Sequence, residues 1–276
     1  MLNLSNTTLF AFTGLDEEEH LDKTLNALLN SSKGITFGAI KMISPRIYDN
    51  KDIEFVQIEP MDHIGYSRFF VEDLVNHVDT DYCISVQWDG GIINPDCWSD
   101  EFLKYDYIGA PWPNVKYYVN RVGNGGFALR SRKFLEVSAE LEYHPMHPEY
   151  KCAPEDWFLC VKNYGYMIQR GIKFPDPYVA ARFSVEHPLN ERLFFRDIFS
   201  SYNTFGFHGE FNVAAMRELQ RCSFQYHITY STPRSGWRNR SVRFVITQTL
   251  LVWSFKRCPI LEISAQKKPF RFSTAC

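Results

Sequence analysis

Two hydrophobic periods organise the first ninety residues. Residues 7–13 (Thr-Thr-Leu-Phe-Ala-Phe-Thr) are a short, mostly apolar run closed by Gly14, the pattern of a strand buried on both faces. Four acids at 16–19 follow, then Leu21, Leu25, Leu28 and Leu29 at helical spacing, with a stop at Ser31-Ser32-Lys33-Gly34. Residues 35–43 and 53–58 read as second and third strands. Residues 66–78 carry apolar side chains at 69, 70, 71, 74, 75 and 78, a helical stripe. Residues 82–86 return to a short apolar run, and the chain then passes through Gln87-Trp88-Asp89 to stop at Gly90-Gly91. Strand, helix and strand in alternation predict an α/β fold with a mostly parallel sheet flanked by helices. In such sheets ligands bind beyond the carboxyl ends of the strands, so Asp89 is the first residue expected to do chemistry. An Asp before Gly also starts turns, and that plainer role stays open.

Farther along, the pattern shortens. Residues 98–105 have helical character, and 106–113 (Asp-Tyr-Ile-Gly-Ala-Pro-Trp-Pro) cannot be a long regular element. Residues 122–129 place three glycines around Asn124, which points to a close approach of backbone to a ligand or another strand. Arg130-Ser131-Arg132 is expected to start a helix reaching about Leu141. Residues 145–154 read as a loop. Glu155-Asp156 is expected to open a helix at 157–166, with both carboxylates at its N-terminal end. Residues 172–174, 180–185 and 205–208 read as short strands, and 213–219 as a brief helix.

Composition sharpens the class. With 45% hydrophobic and 22% charged residues, the 276-residue chain is a soluble globular protein with ample core. Aromatics reach 16%; such rings fill cores and also stack on sugars and bases. The net charge of −2 hides an asymmetry. Residues 222–276 hold nine Lys and Arg against the single acid Glu262, while the other 21 basic and 31 acidic residues precede them. A boundary at 221/222 is therefore expected, with a basic extension that meets an anionic partner or the acidic body itself. The seven cysteines form no CxxC pair and no zinc spacing, which suits a reducing, cytoplasmic setting. No basic-then-apolar leader is visible, and residues 242–255 are too short and too polar to span a bilayer.

Four blocks stand out together: Gln87-Trp88-Asp89-Gly90, Val122-Gly123-Asn124-Gly125-Gly126-Phe127, Pro154-Glu155-Asp156 and Phe205-Gly206-Phe207-His208-Gly209. Their order and spacing resemble a glycosyltransferase-like family catalogued as a domain of unknown function, and residues 106–113 and 180–186 match it too. The resemblance covers roughly residues 5–212. It implies a GT-A type fold that transfers a sugar from a nucleotide-sugar donor to a hydroxyl acceptor, with inversion.

The same resemblance distributes roles. GT-A enzymes usually hold a divalent cation with Asp-x-Asp after a sheet strand; here the first acid is replaced by Gln87, so Asp89 carries the motif's charge. His208 is the second ligand, and Mn²⁺ or Mg²⁺ would complete its shell with phosphates and water. Gln87, Trp88, Tyr66, Arg68 and Thr13 fall where the donor's nucleotide and diphosphate are contacted. Asn124, Gly125, Gly126 and Trp112 fall where sugar and acceptor are lined. Asp156 is implied as the base that takes the acceptor's proton, with Glu155 beside it on acceptor or sugar hydroxyls. Helix capping is the plainer role for the two acids, and a core histidine for His208. A basic tail is compatible with an anionic acceptor: a glycan, a lipid-linked glycan or a modified nucleic acid. Two other readings remain: a nucleotidyltransferase, which lacks its glycine-rich basic signature after the first strand, and a carbohydrate-binding or inactive relative using the aromatics at 88, 98, 107, 112 and 157.

Overall fold

The computed structural model describes residues 1–112, 119–145, 154–187, 204–210, 212 and 213. The chain divides into two units, Met1–Leu219 and Gln220–Cys276, and every described residue lies in the first. The basic extension thus lies outside the described residues.

A six-stranded sheet is ordered β3-β2-β1-β4-β7-β6. Its parallel half comprises β1 (Leu2–Phe12), β2 (Ile35–Ser44), β3 (Glu54–Gln57) and β4 (Tyr82–Val86). On the other side of β4 the direction reverses: β7 (Ala128–Ser131) runs antiparallel to β4, and β6 (Tyr107–Ile108) antiparallel to β7. The fold is the expected α/β sheet, parallel over its larger part.

Period-2 alternation sorts the core into two layers. Along β1, Phe10 and Phe12 face Phe69, Phe70, Leu74, Phe134 and Phe158, while Leu9 and Ala11 face Leu21 and Leu28 of α1 (Glu18–Ser32) on the opposite side. β1 extends farther back than its apolar run, because Asn3, Ser5 and Asn6 hide its first half, where the register with β2 shifts between Leu4 and Thr8.

Several sequence expectations change. The single helix expected over 66–78 is α2 (His63–Arg68) followed by a π-turn at Phe69–Asp73 and a 3₁₀ turn at Leu74–His77. It begins earlier because Asp62 caps it, accepting from the Gly65 N–H at 2.8 Å. Arg130 does not open a helix. It sits in β7 opposite Cys83, and the helix α3 (Arg132–Ser138) starts after Ser131, whose hydroxyl accepts from the Phe134 N–H at 3.0 Å. The helix expected at 157–166 breaks into α4 (Glu155–Trp157), a π-turn at Phe158–Lys162 and α5 (Tyr164–Gln169).

Residues 172–174 form no strand. Residues 180–183 are helical, closing α6 (Pro177–Phe183): Asp176 caps the helix by accepting from the Tyr178 and Val179 N–H groups, and Pro177 supplies its first residue. Only β8 (Ser184–Val185) remains of the strand expected there. β8 joins β5 (Gly91–Ile92) and β9 (Gly206–Phe207) in a three-stranded sheet ordered β5-β9-β8. Most of the helix expected at 213–219 lies outside the described residues.

Candidate functional site

The carboxyl end of β4 is where the site assembles. After Val86 the chain turns tightly, with the Gly90 N–H donating to the Gln87 carbonyl at 3.1 Å, and enters β5. β5 pairs antiparallel with β9, and the residue after β9 is His208. The His208 N–H donates to the Val185 carbonyl at 3.0 Å, so the small sheet fixes the imidazole beside Asp89. Two glycines make room for the ring. A Cβ on Gly126 would fall 2.0 Å from His208 Nε2, and one on Gly90 would lie 3.2 Å from its Cδ2. Neither position tolerates a side chain without moving the histidine.

A chain of polar contacts runs through these groups. Gln87 Nε2 donates to the Tyr66 hydroxyl at 2.6 Å, and Gln87 Oε1 lies 3.1 Å from His208 Nε2. His208 Nε2 is 3.4 Å from Asp89 Oδ1, and its Nδ1 is 3.3 Å from Glu186 Oε1. Glu186 Oε2 accepts from Asn124 Nδ2 at 2.9 Å, and Asn124 Oδ1 accepts from the Gly126 N–H at 3.2 Å. Burial alone would push the imidazole down; Asp89 and Glu186 outweigh it and raise His208 to about 10. A core histidine among aromatics is therefore not what the structure contains: His208 stands between two carboxylates.

The acid pair sits on the other side of the glycine loop. Asp156 is partly exposed, and its carboxylate accepts from the Gly125 N–H at 3.0 Å and the Trp157 N–H at 2.6 Å. Glu155 is 5% exposed. Its Oε1 approaches Gly125 so closely that a Cβ there would fall 2.6 Å away. Burial first, then the neighbouring Asp156, push Glu155 up to about 8. Asp156 also moves up through burial, partly offset by its two backbone donors. α4 is three residues long, and burial outweighs its dipole.

Beneath the loop lies Arg130, 1% exposed. It donates to Ser85 Oγ at 2.8 Å and to the Gly125 carbonyl at 3.4 Å, and its guanidinium lies over the rings of Phe70 and Tyr107 at 5.1 and 5.3 Å. Burial would lower its pKa, but the titratable groups around it, Tyr107 and Cys83 first, raise it overall.

The remaining expected site residues divide. Tyr66 belongs to the cluster through Gln87, and stacks on Phe70 at 4.7 Å. Trp88 turns toward α1, its ring 6.1 Å from that of His20 and 5.6 Å from Lys23 Nζ. Trp112 covers Gly123, where a Cβ would collide with its ring at 2.2 Å. Thr13 is buried at the end of β1, and its hydroxyl accepts from the Leu15 N–H at 3.1 Å. It adjoins a shallow cavity of about 480 Å³ lined by Gly14, Leu15, Asp16, Glu17, Pro60, Met61 and Asp62. Arg68 is exposed at the end of α2 and takes no part in the polar chain. Glu186, Arg130 and Ser85 were missed as site residues. The signal for Arg130 was the unbroken run Gly125 to Leu129, too apolar to precede a surface helix; that for Glu186 was its place at the end of the block 180–186, which matches the family pattern.

Among the described residues no group of three His, Cys, Asp or Glu side chains is placed to hold a metal ion. Two donors are present, Asp89 and His208; Asp89 Oδ1 and His208 Nδ1 are both buried without a hydrogen bond, and Asp89 Oδ1 lies 3.4 Å from His208 Nε2. A buried carboxylate oxygen in that state is costly, and the raised His208 imidazolium, 3.4 Å away, offsets it. The pair offers two ligands at most, so a divalent cation there would draw its others from phosphate and water and would have to displace the His208 proton. Among the described residues no helix is long and apolar enough to cross a membrane.

The model of a family described as "Protein of unknown function (DUF5672)" matches residues 50–208, more than half of the chain and all four blocks up to His208. No curated protein matches the sequence. Among solved structures, the chain is similar to a glycosyltransferase involved in the glycosylation of the major capsid of PBCV-1, at 13% identity and a TM-score of 0.41, covering 78% of this chain and 98% of that one. It is similar also to the galactosyltransferase LgtC in complex with donor and acceptor sugar analogues, at 12% identity and a TM-score of 0.40, covering 83% and 98%. Likeness at this level carries no weight for chemistry; the geometry of the site must.

Proposed function

We propose that this chain, which belongs to the DUF5672 family of proteins of unknown function, is a glycosyltransferase of GT-A type that moves a sugar from a nucleotide-sugar donor to a hydroxyl acceptor. One observation carries the reading. Two sets of groups with different chemistry, Asp89 with His208 and Glu155 with Asp156, meet around one glycine loop beyond the carboxyl end of β4. That is the arrangement needed to hold a departing diphosphate on one side and deprotonate an acceptor on the other.

Asp89 and His208 would hold a divalent cation, Mn²⁺ or Mg²⁺, which offsets the negative charge that builds on the leaving diphosphate. The base and ribose extend toward the cavity at the end of β1, where Leu15, Pro60 and Met61 offer apolar walls and Asp16, Glu17 and Asp62 accept from hydroxyl or N–H groups. The glycines at 123, 125 and 126 let backbone approach the sugar. Glu155 keeps its proton up to about pH 8, and Asp156, whose carboxylate holds two backbone N–H donors, is the member assigned as base. Asp156 takes the hydroxyl proton as the acceptor oxygen bonds to the anomeric carbon. The bond from that carbon to the phosphate oxygen breaks, its electrons stay on the diphosphate, and a single displacement inverts the carbon. The basic residues of 222–276 suit an anionic acceptor, a glycan, lipid-linked glycan or modified nucleic acid.

The test is a panel of nucleotide sugars scored for thermal stabilisation and donor hydrolysis, with and without Mn²⁺. A matching donor should raise the Tm and be slowly hydrolysed, and Asp89→Ala should abolish the Mn²⁺-dependent part of both. Stabilisation without hydrolysis leaves a binding protein. Equal Mn²⁺-dependent binding by Asp89→Ala returns Asp89 to the role of a turn residue.

A further inference from the structure

Asp156 is held by two backbone donors of different origin. The Trp157 N–H, on Oδ1 at 2.6 Å, belongs to its own helix; the Gly125 N–H, on Oδ2 at 3.0 Å, belongs to the glycine turn. Only the second depends on how the turn is set, so it decides how the carboxylate is rotated. Gly125 is also gripped from its other end. Its carbonyl accepts from Ser85 Oγ at 3.0 Å and from Arg130 Nη2 at 3.4 Å. There is no slack around it: a Cβ on Gly125 would meet Glu155 Oε1 at 2.6 Å, and Arg130 Nη2 and Asp156 Cβ at 3.2 Å each.

Arg130 acts on that carbonyl twice. Its Nη1 donates to Ser85 Oγ at 2.8 Å, and the Ala128 N–H donates to the same oxygen at 3.2 Å. A hydroxyl accepts at two lone pairs and donates one hydrogen. With both lone pairs taken, the Ser85 hydrogen turns to a carbonyl, and that of Gly125 is nearer, at 3.0 Å against 3.4 Å for Ala128. The guanidinium is itself fixed against the rings of Phe70 and Tyr107, and the Tyr107 hydroxyl donates to the Gly123 carbonyl of the same turn at 2.6 Å. Burying a guanidinium is costly, and here a hydroxyl and a carbonyl receive it rather than a carboxylate. A strand position that served packing alone would be apolar.

We infer that Arg130 is a positioning residue for the base: through Ser85 and the Gly125 carbonyl it fixes the glycine turn, and with it the N–H that orients Asp156 Oδ2. The inference rests on the reading of Asp156 as base. A rotated carboxylate loses proton transfer before it loses the donor, which the proposed function holds on the Asp89 side. Removing Arg130 should therefore lower kcat and spare donor affinity, whereas a residue needed only for folding would move both or neither.

The experiment reads the Gly125 N–H directly in the full chain. Asn124-Gly125 is the only Asn-Gly pair in the sequence, so carbonyl-¹³C asparagine with ¹⁵N glycine marks that amide alone. Asp156→Ala gives the position of the amide proton when its carboxylate is gone. In Arg130→Met the resonance should move at least halfway to that position. Over the same panel of nucleotide sugars, with water as acceptor, kcat for donor hydrolysis should fall about 10- to 100-fold while donor affinity by calorimetry stays within about twofold. Arg130→Lys, which keeps the charge and a donor, should recover part of both losses. Should Arg130→Met fail to fold, Ser85→Ala, which loses a single oxygen, carries the same expectation. A Gly125 resonance at its wild-type position in the folded variant overturns the inference, and so does a donor affinity that falls as far as kcat. A wild type that hydrolyses no donor overturns the proposed function, and the Gly125 resonance then still decides whether Arg130 holds Asp156.

Discussion

The two halves of the sheet are built on different principles. Around β1 and β2 the chain is held by apolar side chains that alternate between two layers, and their partners are other apolar side chains. Across β4 the strands shrink to two to four residues, and backbone and polar groups take over. Gly109 lies so close to the Asn124 carbonyl that a Cβ would sit 1.9 Å from it, and Gly206 packs flat on the Phe127 ring. Ser85 belongs to both halves. It sits in β4, accepts from Ala128 N and from Arg130, and donates to the Gly125 carbonyl at 3.0 Å. The difference separates stability from chemistry. Apolar layers supply the free energy that lets the antiparallel side keep a buried arginine, paired acids and a histidine between carboxylates.

The largest expected effect removes chemistry from the antiparallel side without touching the layers. Asp156→Asn keeps the side chain's shape and an oxygen for the Gly125 N–H, but it abolishes proton affinity. Transfer should fall about 10²-fold or more while donor binding persists, measured by steady-state kinetics beside calorimetry. A normal rate would make Asp156 a cap for α4 and put the base elsewhere.

A matched pair of glycine substitutions contrasts the halves directly. Gly126→Ala puts a methyl 2.0 Å from His208 Nε2, so the ring or the loop must shift. We expect a loss of about 1–3 kcal/mol in unfolding free energy and of Mn²⁺-dependent donor binding together. Gly34→Ala, between α1 and β2, meets nothing within 4 Å, but its φ of +73° strains any side chain. It should cost about 1–2 kcal/mol and leave donor binding unchanged. Denaturant titration and binding on the same two proteins check both. Equal effects on binding would mean that the glycine turn does not set the histidine.

The same division explains what the sequence revealed. Residues 35–43, 53–58 and 82–86 are mostly apolar runs between the two layers, and the expected strands there match the observed ones within a residue or two. The site blocks were legible as blocks because Gly, Asp and His clusters have few structural uses in combination. What failed was polar burial. Arg130 read as the opening of a surface helix because a charge usually marks solvent, and its partners Ser85, Phe70 and Tyr107 lie far off in the chain. Residues 180–183 read as a strand from their apolar content, although Asp176-Pro177 is a helix start that composition outweighed. Glu186 closes the block 180–186 but took no role from it, because its partners, Asn124 and His208, are 62 and 22 residues away.

The smallest expected effect is a slope. Glu155 is buried with its proton on, at about 8, whereas in the unfolded chain it titrates near the ordinary value of 4.5. The native state therefore binds a proton that the unfolded state releases between those values. The stabilisation is fully present below about pH 4.5 and is lost as pH rises through about 8, at no more than about 1.4 kcal/mol per pH unit. Glu155→Gln carries the hydrogen permanently, so its stability should lack this component. His208, raised to about 10 by Asp89 and Glu186 against its burial, adds a decline of the same sign from 6.5 upward, but it does so in both proteins and cancels in the comparison. Urea titrations of the two proteins from pH 5 to pH 9 should show the wild type losing ground to Glu155→Gln up to about pH 8 and running parallel to it above. Curves parallel over the whole range would mean that Glu155 is ionised in the native protein, and Asp156 would then have a charged neighbour rather than a neutral one.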